Sequence, residues 1–127
     1  LPMAEVSNFT FDFIDSTEQK YKLKIREVYC DHVDVIINTL NEKRYIFGKT
    51  YKPPLEDRPF LFSLLMAQGR FKLVENECDD LVNELQNLVY DDKQEKPIVL
   101  DDGSMQIDTW DSLTYAVSGD WHYLTDI

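Results

Sequence analysis

The chain has little of what most small functional sites are built from. Its 127 residues include only two cysteines and two histidines. Cys30 and Cys78 belong to no CxxC pair and no His-rich spacing. That argues against a zinc site and for two reduced thiols. His32 and His122 stand in no Ser-His-Asp order and read as structural. Only four glycines are present. None forms a phosphate-cradling loop and no Walker signature occurs, so the chain has no ATP hydrolysis of its own. No apolar run approaches the roughly 18 residues of a membrane span. No basic region followed by an apolar stretch marks a signal peptide. Positive charge is scarce as well, with 13 Lys and Arg against 24 Asp and Glu, a net charge of −11.

What is present is an apolar and aromatic complement large enough for a core. At 43% hydrophobic and 13% aromatic, the chain is no disordered tail and fits one domain spanning 1–127. Leu1-Pro2 ahead of Met3 reads as a linker or tag remnant reaching to about residue 8. The charge is unevenly spread. Residues 1–74 carry 11 Lys and Arg against 10 Asp and Glu, and residues 75–127 carry 2 against 14. Such asymmetry points to two faces with different partners.

Alternation predicts β-structure in the first half. Phe9, Phe11 and Phe13 suggest an extended segment over 9–14. Tyr21 to Tyr29 sets Tyr21, Leu23 and Ile25 against Lys20, Lys22, Lys24 and Arg26. His32 to Leu40 reads as a second strand through Val33, Val35 and Ile37, and Arg44 to Tyr51 closes a three-strand antiparallel meander. Pro53-Pro54 breaks the sheet. Phe60 to Ala67 reads as a buried helix after Pro59 with Gly69 as its stop. Phe71 to Val74 reads as a short strand. Asp80 to Tyr90 is an amphipathic helix with Leu81, Val82, Leu85, Leu88 and Val89 as its stripe, capped by Asp79 or Asp80. An acidic loop over 91–104 precedes a last helix from Thr109 to about Val117, and the tail from Trp121 packs back.

The basic residues of the first half form the candidate nucleic-acid contact. On a strand, Lys20, Lys22, Lys24 and Arg26 would share one face about 6–7 Å apart, close to phosphate spacing, with Lys43, Arg44, Lys49 and Lys52 extending the patch. Such contacts give salt-dependent, sequence-blind binding. An ordinary solvated sheet face is the alternative.

The second half has an order of its own. A Gly-Arg-Phe-Lys-Leu strand leads through a polar turn with Cys78 into a helix ending Tyr90-Asp91-Asp92-Lys93. Further on comes Asp108-Thr109-Trp110-Asp111-Ser112-Leu113-Thr114-Tyr115-Ala116-Val117. This resembles the C-terminal end of the large subunit of tailed-phage DNA-packaging terminases, where an acidic residue begins a final helix reading roughly Asp-Ala-Leu-Arg-Tyr-Ala. The resemblance covers residues 60–118, and residues 20–52 only by strand order. It implies an RNase H-like α/β (α+β) domain with a three-strand antiparallel meander, a further short strand and about three helices.

The resemblance also implies a two-metal endonuclease site, in which three or four carboxylates converge on Mg or Mn. Asp111 matches the metal-binding acid of the final helix, and Asp108 lies one turn before it. Capping is the other reading of this pair, with Asp108 as N-cap and both acids favouring the helix dipole. The family's Gly-x-Asp-x-Gly-like first-strand acid is missing. Glu27 is the candidate replacement, in phase with Tyr21, Leu23 and Ile25. The middle-strand acid has no clear counterpart. Asp31 and Asp34 flank a turn, as ligands or as solvated turn residues. The chain thus resembles the vestigial, non-cutting type found in packaging ATPases of small protein-primed phages. The resemblance leads one to expect a motor domain in the cytoplasm of the infected bacterial host. It would guide double-stranded DNA, or packaging RNA, and contact neighbouring motor subunits and the portal protein. The isolated domain would be monomeric and its parent a ring oligomer. A small acidic, aromatic-rich chain also fits a different class, an inhibitor or immunity protein that mimics DNA and blocks a basic site.

Overall fold

In the computed structural model, which describes residues 2–125, the chain divides into two compact units, 1–50 and 51–127.

The first unit contains α1 (Met3–Tyr21), β1 (Val28–Cys30), α2 (Asp34–Lys43) and β2 (Phe47–Lys49). β1 and β2 pair in parallel, with Val28 opposite Phe47 and Cys30 opposite Lys49. The expected antiparallel meander is therefore overturned, and with it the RNase H-like strand order. Parallel neighbours cannot be joined by a tight turn and need a crossover, which α2 supplies. The run from Val33 to Leu40 satisfies two periods at once. Its alternate residues Val33 and Val35 face solvent, while Ile37 and Leu40 are buried at helical spacing. The segment over 9–14 behaves the same way. It lies inside α1, where Phe11 and Ile14 go into the core and Phe9 and Phe13 stay outside. Residues 3–8, expected as a remnant, are helical too.

The core of this unit gathers Phe11, Ile14, Ile37, Leu40 and Phe47. Phe11 meets Phe47 edge-on at 5.7 Å. α1 ends at Lys22, whose backbone is left-handed (φ 54°). A bidentate clamp fixes the chain beyond it: Arg44 donates to both Glu18 carboxylate oxygens at 3.1 and 2.9 Å and to the Ile25 carbonyl at 3.3 Å. Glu18 also accepts the Ile25 N–H at 2.6 Å. Charge-assisted pairs of this kind are the strong ones. At β2, the Asn41 side chain imitates a neighbouring strand, donating to the Phe47 carbonyl at 2.8 Å and accepting its N–H at 2.9 Å.

The second unit is helical, with α3 (Asp57–Ala67), α4 (Asp79–Asn87), α5 (Asp108–Ala116), a 3₁₀ turn (Ser118–Asp120) and α6 (Trp121–Thr125). The helix expected from Phe60 starts three residues earlier, at Asp57, with Pro59 in its first turn, where a missing N–H costs nothing. Gly69 (φ 67°) stops it. The Arg70 N–H reaches back to the Leu65 carbonyl at 2.8 Å and the Gly69 N–H to that of Met66 at 3.0 Å, the paired bonds of a Schellman end. The strand expected over 71–74 is absent, because Phe71 serves the core as a ring and not through a ladder. It packs edge-on against Phe62 at 5.4 Å, and Phe62 meets Trp110 at 5.2 Å. Leu61, Phe62, Leu65, Ile107, Trp110 and Trp121 form the buried centre. α4 stops at Asn87, short of the expected Tyr90, because the backbone turns extended at Leu88. Leu85 and Leu88 pack on this centre and Leu81 is buried, while Val82 and Val89, expected in the same stripe, remain exposed. The acidic loop folds back as a minimal hairpin: Tyr90 bridges Val99, and the Asp91 and Leu100 N–H groups donate to the Ile98 and Val89 carbonyls, each at 2.8 Å. Among the described residues, no helix is long and apolar enough to cross a membrane.

Candidate functional site

In the second unit, α3, the hairpin loop and α5 enclose a cleft of about 410 Å³, whose lining includes Lys52, Arg58, Asp91, Asp101, Asp111 and Tyr115. Arg58 is 7% exposed. Its Nε donates to the Pro53 carbonyl at 3.1 Å, and Nη1 lies 3.8 Å from Asp111 Oδ1. The guanidinium and the Lys52 ammonium stand 6.0 and 5.8 Å from the centre of the Tyr115 ring, a distance at which the quadrupole of the ring attracts cations.

Asp111 occupies the first turn of α5. Burial pushes its carboxyl above the ordinary aspartate value. Arg58 opposes that shift, and the like charges of Asp101, Asp108 and Glu84 add to it. The ion pair is long, so desolvation outweighs it. Asp108 is exposed and accepts from the Gln106 amide at 3.4 Å. It does not cap α5. The N-cap position falls on Ile107, and no side chain of that residue bonds the helix end.

The cap comes from another helix. Glu84, on α4 and 6% exposed, accepts the Trp110 N–H at 3.0 Å and the Thr109 N–H at 3.4 Å. A carboxylate aimed at a helix N-terminus satisfies orphan donors and complements the dipole. One signal for this residue was open to sequence reasoning, an acid three residues after Leu81 and one before Leu85, inside the apolar stripe of α4. A capping acid borrowed from elsewhere in the chain has no local spacing by which to recognise it.

The remaining sequence candidates lie in the first unit. Glu27 is half-exposed just before β1, bonded by the Tyr29 hydroxyl and 3.6 Å from Arg26 Nε. Asp31 follows β1 and accepts the His32 N–H at 2.8 Å. The carboxyl end of a parallel strand, where Asp31 stands, is where open α/β sheets receive ligands. Asp34 pairs with Lys49 at 2.7 Å. The basic series is not the strand face expected of it, since Lys20 is on α1 and Lys22, Lys24 and Arg26 lie in the irregular connection 22–27. Lys43 Nζ sits 4.8 Å over the Phe11 ring, and Arg44 is committed to Glu18.

The donor set does not fit Mg or Mn. Three aspartates line the cleft, but among the described residues no group of three or more His, Cys, Asp or Glu side chains is placed to hold a metal ion. The charge nearest Asp111 is a fixed guanidinium. Comparison with known proteins adds no identification: no protein-family model, curated protein or solved structure matches this chain.

Proposed function

We propose that this chain is a non-cutting module of a viral DNA-packaging motor, working in the cytoplasm of the infected bacterial cell. It guides nucleic acid and contacts neighbouring motor subunits or the portal protein of a ring-shaped parent assembly. The observation that carries the reading is the pairing of Asp111 with Arg58. Helix α5 carries an acid in its first turn, as the terminase resemblance implies for a final helix, although the 3₁₀ turn and α6 follow it here. That acid pairs with a buried cation, although Asp101, Asp108 and Glu84 also bring like charge near it. A site so arranged orients helices and loop without assembling a metal pair.

The division of charge supports two contact surfaces. Residues 51–127 hold 6 Lys and Arg against 16 Asp and Glu, a net of −10, while residues 1–50 hold 7 against 8. The acidic unit suits a basic protein neighbour, through complementarity that acts mainly on encounter and register. The first unit keeps the exposed lysines Lys22 and Lys24 for nucleic acid, whether double-stranded DNA or packaging RNA. The test is one agarose gel with supercoiled plasmid, Mn²⁺ and low salt, run beside Asp111→Ala. Retarded but intact plasmid is expected. Nicking by the parent and not by the variant would overturn the non-cutting assignment.

The −10 net charge of residues 51–127 favours a second reading, an acidic inhibitor that mimics DNA toward a basic nucleic-acid-binding site. Such a chain would leave plasmid unshifted and would inhibit a basic nuclease at equimolar amounts. The motor module would do the reverse.

A further inference from the structure

The first unit holds an exposed strip in which cations and apolar side chains alternate: Lys20, Tyr21, Lys22, Leu23 and Lys24, running off the end of α1 into the irregular connection. Leu23 is 70% exposed and Tyr21 43%. The Glu18–Arg44 clamp ties this strip to a second segment. Arg44 bonds Ile25 directly, so the next residue on each side, Lys24 and Tyr45, is held in the same neighbourhood. Lys24 is near enough to contribute to the lowered pKa of Glu18. Tyr45 is 88% exposed, a ring with almost no protein contact.

We infer that residues 22–24 and Tyr45 form a binding site for single-stranded nucleic acid, with Lys22 and Lys24 on phosphates and the Tyr45 ring under an unpaired base. The inference rests on the nucleic-acid part of the function proposed above and names its substrate. Two observations favour a single strand over a duplex. A duplex hides its base faces, so an exposed Tyr45 would gain nothing from it, whereas stacking on aromatic rings is what a single strand offers. A duplex also presents two rows of phosphates, and the cations that would widen the footprint are engaged elsewhere: Lys20 over Tyr21, Lys43 over Phe11, Arg44 on Glu18 and Lys49 on Asp34. What remains is a narrow line along one peptide segment. With a whole-chain charge of −11, phosphate contacts alone face a repulsive background, and stacking supplies the short-range gain.

The experiment is fluorescence anisotropy of the full chain at low salt with a labelled oligo-thymidine, beside a duplex of equal length. The parent should prefer the single strand. Tyr45→Ala should weaken that binding about 5- to 150-fold, the range expected from the loss of one stacked base, and leave the duplex unaffected. Tyr45→Phe should keep the preference. Lys22→Glu/Lys24→Glu should weaken binding and flatten its salt dependence. Tyr45 is solvent-exposed, so unchanged circular dichroism should accompany each Tyr45 variant. Equal affinity for both forms, or indifference to Tyr45→Ala, would overturn the single-strand assignment and leave a duplex-guiding role standing. Binding to neither would overturn this inference together with the nucleic-acid part of the proposed function.

Discussion

Replacing Glu84 with alanine should destabilise the second unit by about 2–4 kcal/mol. The carboxylate accepts two backbone N–H groups at the start of α5, at 3.0 and 3.4 Å, from a position 6% exposed. A hydrogen bond to a charged group contributes roughly 1.5–3 kcal/mol, and a buried donor left without a partner costs about 1–3 kcal/mol. The longer bond contributes little, so the sum stays near the lower part of what two full bonds would give. Glu84→Gln keeps one acceptor oxygen for the Trp110 N–H and loses the charge, so about 1 kcal/mol is expected, near the ordinary value of a helix cap. The assay is urea unfolding followed by tryptophan fluorescence. Both tryptophans of the chain, Trp110 and Trp121, are in the buried centre of this unit, so the signal reports on it without contribution from residues 1–50. With a urea slope of about 1–2 kcal/mol per molar, the alanine variant should move the midpoint down by about 1 M or more. A shift below about 0.3 M for Glu84→Ala, or equal shifts for Ala and Gln, would refute the cap.

Other contacts carry expected outcomes of their own. Asn41→Ala should cost about 1–3 kcal/mol by stripping both partners from the Phe47 backbone, read as the loss of far-UV circular dichroism on heating; an unchanged melt would show the strand edge satisfied by water. Glu18 has its carboxyl lowered from 4.5 to about 2, chiefly by the Arg44 hydrogen bonds and then by the Ile25 N–H. Its contribution is therefore present above about pH 4.5 and is lost as pH falls through about 2. Glu18→Gln should flatten the stability profile across that window, and an unchanged acid slope in the variant would sink the linkage. Phe62→Ala should cost about 3–5 kcal/mol, since its ring is fully enclosed between Phe71 and Trp110; a smaller loss in the tryptophan assay would mean the site collapses around the gap.

The helices of the second unit were legible because their signals are local, although the strand expected over 71–74 is absent. Pro59 and Gly69 bracket α3 by backbone chemistry that acts within a turn. The stripe over 81–89 marked α4 by its period, although Val82 and Val89 stay exposed and the helix ends at Asn87. Asp108 and Asp111 mark the start of α5 whichever capping scheme holds. The first unit misled for the opposite reason. Val33, Val35 and Ile37 alternate, yet Ile36, Ile37 and Leu40 also lie on one helical face, and periodicity cannot choose between the two. Topology chose: β1 and β2 run parallel, and only a crossover joins parallel neighbours. In α1 the same ambiguity was resolved by burying Phe11 with Ile14, which left Phe9 and Phe13 in solvent.

The candidate site shows the same limit at the level of chemistry. The resemblance singled out Asp111 near the start of α5. It could not name the partner of that acid, because Arg58 comes from a helix some fifty residues earlier in the chain. Nothing in Asp57-Arg58-Pro59 distinguishes a buried guanidinium from an ordinary surface one. That partner decides the chemistry. A carboxylate surrounded by Asp101, Asp108 and Glu84 with no cation would be a half-built metal site, held apart by repulsion until an ion arrived. With Arg58 at 3.8 Å and anchored on the Pro53 carbonyl, the positive charge is supplied in advance by the fold. Removing Arg58 is thus the change that separates the two kinds of site. Arg58→Met would leave the aspartates facing one another with their balance gone. If the cleft is only a degenerate metal centre, such a variant should bind Mn²⁺ more tightly than the parent. If the guanidinium is the keystone of a purely structural contact, the variant should lose stability and gain no affinity for metal.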